Sequence, residues 1–197
     1  MIKRILLAFI FIASGISAYS QTDLFPHTKS KWVDSVMKSL SVDQKIGQVL
    51  MPRGNTNATY DTTRLYDIVR NYHVGGFVLF AGYPTNQANL VNKLQSMSKV
   101  PMFIGMDLEW GLNMRLDSTV RYPYQMTLGA IQGNDALIEK MGFQIAQQCK
   151  RMGVHINYAP VVDVNNNPNN PVINFRSFGE NREAVTSKSL AYMRGLQ

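Results

Sequence analysis

Residues 103–111, FIGMDLEWG, carry an apolar run directly into two carboxylates, Asp107 and Glu109, with Trp110 behind them. A second apolar run, NYAPVVDV, contains a third carboxylate, Asp163, and Arg176 follows in NFRSFGE. Where strands lie parallel, ligands bind beyond their carboxyl ends, so these groups stand where chemistry is done. Each also has a structural reading. Asp107 either meets a ligand or caps the following turn by a backbone hydrogen bond. Glu109 is expected to pair with Arg115 and hold the loop. Asp163 either meets a ligand or braces the Asn-rich segment 165–171, NNNPNNP, which is itself either a surface turn or a binding loop. Arg176 is either a ligand contact or a clamp on backbone carbonyls. Trp110 is expected to pack under the loop, with ligand stacking as the sharper alternative.

Other reactive residue types offer less. His73 and His155 have no metal-ligand spacing with their neighbours, and His27 lies in an early linker, so structural or solvated roles are expected for all three. Cys149 is the single cysteine, which excludes an intramolecular disulfide; its place in FQIAQQCKRMG predicts a buried, inert thiol on a helix. No glycine-rich phosphate fingerprint follows any strand, which removes support for a dinucleotide or nucleotide-phosphate site.

The elements that must position these residues are legible from periodicity. Trp32, Val33, Val36 and Leu40 recur at helical spacing. Ser41 with Gln44 three residues on reads as a capping box opening a second helix. VLM, 49–51, reads as a short first strand, and 63–73 as a helix through Leu65, Ile68, Val69 and Tyr72. VGGFVLF, 74–80, is a strand pattern buried on both faces, and Thr85 is expected to cap a helix over 86–98. A buried strand over 100–106 follows. A helix over 134–153 should bury Leu137, Met141 and Ile145 and stop at Gly153. A third strong strand is expected over 154–164. Strands alternating with amphipathic helices predict an α/β fold with a parallel sheet, for which both an open doubly wound sheet and a TIM-type barrel fit.

Composition bounds the rest. Of 197 residues, 45% are hydrophobic and 17% charged, an ordinary globular balance. The formal charge of +7 comes without a run of five basic residues, so no nucleic-acid partner is indicated. Residues 1–20 have the build of a secretory signal peptide: Lys3 and Arg4, the apolar core ILLAFIFIASGI, then small residues. No cysteine stands near the cleavage region, so no lipid anchor is indicated, and export to a periplasmic or extracellular location is expected. The oligomeric state is left open.

GGFVLF, VPMFIGMDLEWGLNMRL, YPYQMTLGA, INYAPVVDVNNNPNNPVINFRSFGE and AYMRGLQ occur in that order. This ordered set resembles the N-terminal barrel of glycoside hydrolase family 3, most closely its β-N-acetylhexosaminidase branch, over about residues 40–197. The resemblance implies a 21–40 lead-in, then the first portion of a TIM-type (β/α) barrel over 41–197, incomplete in this chain. It implies retaining hydrolysis of terminal β-linked sugars, with another β-glycosidase activity, a non-catalytic carbohydrate-binding protein or a truncated product as alternatives. No metal or other cofactor is implied. Asp107 and Arg176 match sugar-binding positions of the family, with Glu109, Trp110 and Asp163 as supporting candidates. A carboxylate accepts from adjacent hydroxyls and Arg donates in a fixed fork, which suits that role. The family's nucleophile and acid/base are expected beyond Gln197. Two positions depart from the common family form: Trp110 stands where Gly is usual, and Phe175 where Asp often precedes the Arg.

Overall fold

The computed structural model describes residues 30–57 and 59–197; the expected signal peptide lies outside them. The chain divides between Lys38 and Ser39 into two units. The described part of the first lies almost wholly in one helix, α1 (Lys31–Ser39), whose last residue falls in the second. The second holds everything that positions the site.

It opens with α2 (Val42–Gly47), whose capping box has the expected form: Ser41 Oγ accepts from the Gln44 amide, and the Gln44 side chain accepts from the Ser41 amide, both at 3.2 Å. Four strands then alternate with helices: β1 (Arg53–Thr56), α3 (Thr63–Tyr72), β2 (Gly76–Gly82), α4 (Pro84–Met97), β3 (Phe103–Met106), α5 (Gln125–Gly129), α6 (Ala136–Arg151), β4 (Ile156–Asn157) and α7 (Arg182–Leu196). Short 3₁₀ turns occupy Leu112–Met114 and Asn174–Arg176.

All strand pairs are parallel, and the sheet order is β1-β2-β3-β4. This order separates the two folds the periodicity left open. A doubly wound sheet reverses its strand order at a switch point, whereas a (β/α) barrel adds each strand beside its predecessor. Phe77 and Leu79 of β2 are fully buried with Ile104 and Met106 of β3, in one cluster with Leu65, Val69, Leu94, Ile138 and Ile145 of the helices. Val78 and Phe80 alternate to the other face and stay half-buried.

Several expected elements shift. The first strand is Arg53–Thr56, not 49–51; Val49 and Leu50 are exposed. Pro84 occupies the first turn of α4 and Tyr83 its cap, so Thr85 lies inside the helix. On α6 the buried stripe is Ile138, Met141, Ile145 and Cys149; Leu137 is exposed, one position off the expected face. The third strand shortens to two residues. β4 exchanges hydrogen bonds with β3 alone, and Pro160 brings no amide to extend the ladder. Gly153 stops the helix with φ +68° as expected.

Candidate active site

Asp107 is the first residue beyond β3. The backbone that carries it is anchored from three elements. The Leu108 amide donates to Asn157 Oδ1 of β4 at 3.0 Å. Gln125 of α5 donates to the Glu109 carbonyl at 2.9 Å, and the Tyr192 hydroxyl of α7 donates to the same carbonyl at 3.1 Å. Burial pushes the Tyr192 phenol well above the usual tyrosine range, so it stays a donor. Gly111, at φ +84°, turns the chain immediately after Trp110, and the Tyr122 amide closes this loop onto the Trp110 carbonyl at 3.2 Å.

Two ion pairs grow from this backbone. Glu109 is 1% accessible and faces Arg176, which reaches it with Nη2 at 2.7 Å and with Nε at 3.0 and 3.1 Å to its two oxygens. The expected Glu109–Arg115 pair does not form. Asp107 takes Arg115 instead, through a short Nη2–Oδ2 contact between side chains that both reach solvent. The physical reason is direction: Asp107 is the first residue off β3, whereas Glu109 lies in the turn that the Gly111 amide closes onto the Leu108 carbonyl at 3.1 Å, so the two side chains meet different partners. Arg176 therefore has an acidic partner although Phe175, not an acid, precedes it.

Arg176 also donates Nη1 to the Val172 carbonyl at 3.2 Å. Its guanidinium is held protonated above the ordinary arginine range, first by the hydrogen bonds to Glu109, with the charges of Glu109, Asp107 and Asp163 adding and burial opposing. Arg176 thus feels three carboxylates, one of which, Asp107, is also paired with Arg115. Asp163 is the least engaged: its side chain is exposed, while its carbonyl accepts from Ser177 Oγ at 2.5 Å, which braces the loop. The Asn-rich loop folds on itself, with Asn167 Oδ1 accepting from the Asn169 amide and Asn170 Oδ1 from the amides of Val172 and Ile173.

Trp110 packs edge-on against Tyr124, with ring centroids 4.8 Å apart, so it does pack against the loop as expected. Cys149 is buried, and burial pushes its thiol up to about 11. His73 ends α3 in the left-handed conformation, and His155 Nδ1 accepts from the Ile104 amide at 3.1 Å, so both are structural.

Sequence reasoning missed Arg115 as the partner of Asp107. It also missed Phe80, whose ring lies under two guanidinium groups, Arg53 at 4.5 Å and Arg115 at 4.7 Å. Gln125 and Tyr192 were likewise not singled out; their strings were noted, but nothing in their spacing points to the Glu109 carbonyl.

The arrangement can orient a polyhydroxylated ligand: Asp107 offers acceptors toward solvent, and Arg176 keeps part of its fork half-open. Glu109 cannot attack a substrate, because it is closed from solvent and committed to Arg176. Residues 41–197 match the model for the glycosyl hydrolase family 3 N-terminal domain.

The chain belongs to glycosyl hydrolase family 3.

It is 34% identical to the β-hexosaminidase A of Pseudoalteromonas piscicida over 184 aligned positions, covering 80% of this chain and 31% of that protein. Among solved structures it resembles a family 3 β-N-acetylglucosaminidase from Paenibacillus sp. str. FPU-7, with a TM-score of 0.70, 33% identity and coverage of 80% and 31% of the two chains. It also resembles a β-glucoside phosphorylase, BglX, with a TM-score of 0.76, 26% identity and coverage of 87% and 31%. The parallel sheet in sequence order is thus the TIM-type barrel architecture of the family 3 N-terminal domain. The chain spans only about a third of the length of curated relatives such as those of P. piscicida (31%) and Cellulomonas fimi (29%). Among the described residues, no helix is long and apolar enough to cross a membrane.

Proposed function

We propose that this family 3 chain belongs to an exported glycoside hydrolase that removes terminal β-linked sugars, first of all β-linked N-acetylhexosamines. The observation that carries this reading is the pair of cross-linked carboxylates directly beyond β3: Asp107, open to solvent with Arg115, and Glu109, locked to Arg176. In the proposed role Asp107 accepts from sugar hydroxyls, and Arg176, braced by Glu109, donates to them. Fixed donors and acceptors of this kind orient the ring and strengthen as it distorts toward the transition state. A retaining mechanism further needs a nucleophile and an acid/base group flanking the bond, about 5–5.5 Å apart. Glu109 is excluded from either role by its closure. The N-terminal Lys3, Arg4 and apolar core support export. The names of the P. piscicida and Paenibacillus relatives favour the hexosamine substrate; the β-glucoside phosphorylase neighbour favours a β-glucoside as the second reading.

The test uses the complete reading frame that encodes these residues, assayed on 4-nitrophenyl β-N-acetylglucosaminide and the matching β-glucoside. Faster turnover of the first is expected. Asp107→Ala should lower kcat/KM about tenfold or more, the value of a charged hydrogen bond of roughly 1.5–3 kcal/mol, and should exceed the effect of Asp163→Ala. No turnover of either glycoside, or a folded Asp107→Ala variant at wild-type rate, would refute the assignment.

A further inference from the structure

One face of the sheet carries more positive charge than the Asp107–Arg115 pair balances. Arg53 of β1 is in register with Val78 of β2, and Val78 with Gly105 of β3. Residues two apart along a strand share a face, so Arg53, Val78 and Phe80 lie on one side of the sheet and Phe80 stands level with Asp107. The Arg53 side chain reaches toward that end. Its guanidinium lies over the Phe80 ring at 4.5 Å, and the Arg115 guanidinium lies over the same ring at 4.7 Å. Arg115 is paired with Asp107, and its Nε is buried without a hydrogen-bond partner. Arg53 is exposed, and among the described residues no carboxylate pairs with it. Two cations and one carboxylate thus meet at one ring. Arg53 also lines a cavity of about 430 Å³ with Asn55, Tyr60 and Arg64, and no carboxylate lines it.

We propose that Arg53 recognises an oxyanion substituent on the terminal sugar, so that the site takes acidic β-glycosides, bearing a sulfate ester or a carboxylate, in preference to neutral ones. The inference rests on reading Asp107 as a contact of that sugar. A ring face attracts a cation but does not neutralise it, and two like charges at one ring repel. An oxyanion docked on Arg53 removes that imbalance. A guanidinium keeps its charge at any working pH, and its planar fork matches the oxygens of a sulfate or carboxylate. Stacking on Phe80 holds the fork in place before the ligand arrives, which lowers the ordering cost of binding. The contacts Asp107–Arg115, Arg115–Phe80 and Phe80–Arg53 are each direct. Arg53 therefore stands two side chains from the sugar-binding carboxylate, a span comparable to a pyranose with its exocyclic substituent. A purely structural Arg53 would instead only cover the Phe80 ring.

The two roles separate by ligand charge. Protein from the complete reading frame is titrated by calorimetry with S-linked methyl glycosides, which resist hydrolysis. The pairs are N-acetyl-β-glucosaminide with its 6-sulfate, and β-glucoside with β-glucuronide. At least one acidic sugar should bind about tenfold more tightly than its neutral counterpart, the lower range for a hydrogen bond to a charged group. Which pair shows the preference distinguishes sulfate from carboxylate. The preference should shrink as ionic strength rises, because Arg53 is exposed. Arg53→Gln should bring the affinity ratio near unity, and Arg53→Lys should restore part of it. Asp107→Ala should weaken neutral and acidic sugars alike. A wild-type ratio near unity in both pairs overturns the anion site and leaves the sugar site standing. So does a ratio that Arg53→Gln leaves unchanged, which is the structural outcome. A preference lost in Arg53→Gln but with no effect of Asp107→Ala supports Arg53 and overturns Asp107 as the sugar contact. No binding of any of the four sugars overturns both.

Discussion

Replacing Glu109 with Gln tests the central claim that one buried ion pair holds the two halves of the site. The substitution keeps the side-chain volume, removes the charge and turns one acceptor oxygen into a donor facing the guanidinium. Three N–H···O contacts of 2.7, 3.0 and 3.1 Å depend on that carboxylate. Breaking a buried pair by removing one partner costs about 3–5 kcal/mol when the survivor is cut off from water. Arg176 keeps 28% side-chain accessibility, so water recovers part of its solvation. A loss of about 2–4 kcal/mol is therefore expected for Glu109→Gln. With a urea m-value of about 2 kcal/mol/M, the unfolding midpoint should fall by roughly 1–2 M. Arg176→Met should cost at least as much, since it strands a carboxylate that is 1% accessible. The double variant should lose less than the sum of the two, because neither charge is then left unpaired. The assay is urea unfolding of the four proteins followed by circular dichroism. Glu109→Gln within about 0.5 kcal/mol of wild type, the range of ordinary surface changes, would refute the reasoning, as would additive losses.

Further outcomes are expected from the same geometry. The 197-residue chain alone should not hydrolyse aryl glycosides, because Glu109 is closed and Asp107 has no catalytic carboxylate assigned opposite it; turnover abolished by Asp107→Asn would reverse these roles. Cys149 should resist a disulfide-exchange reagent at pH 8 until the protein unfolds, and rapid native labelling would contradict its burial. Its folded thiol, at about 11, lies above the ordinary 9.0. Folding therefore favours the protonated form: the contribution is intact below about pH 9 and is lost as pH rises toward 11. Gly195→Ala should destabilise by about 1–3 kcal/mol or more, because an added Cβ would sit 2.1 Å from the Glu139 carbonyl where α7 crosses α6, and overpacking there has no side chain to displace. A melting temperature equal to wild type would show that the two helices separate at little cost.

Much of the local structure was legible in the residues themselves. The Ser41–Gln44 capping box, the helix over 63–72, the strand leading into Asp107 and the stop at Gly153 are set by neighbours a few positions apart, and local spacing records them. The alternation of strand and helix likewise specified a parallel α/β fold, and the ordered motifs specified the family. Periodicity could not choose between barrel and open sheet, because both use the same βαβ units; the unbroken order β1-β2-β3-β4 decides it. Nor could it set the length of β4, which depends on how many residues find a partner on β3. The site shows the same division. Asp107 was placed at a strand end by sequence, but its partner Arg115, and Arg176 as the partner of Glu109, were decided by folding. Glu109 and Arg176 are 67 residues apart, and Tyr192 reaches the Glu109 carbonyl across 83. Such contacts depend on which directions two loops and a helix point once the sheet has assembled. No spacing rule along the chain encodes that, because the energy that selects each partner arises only when burial has removed the competing water.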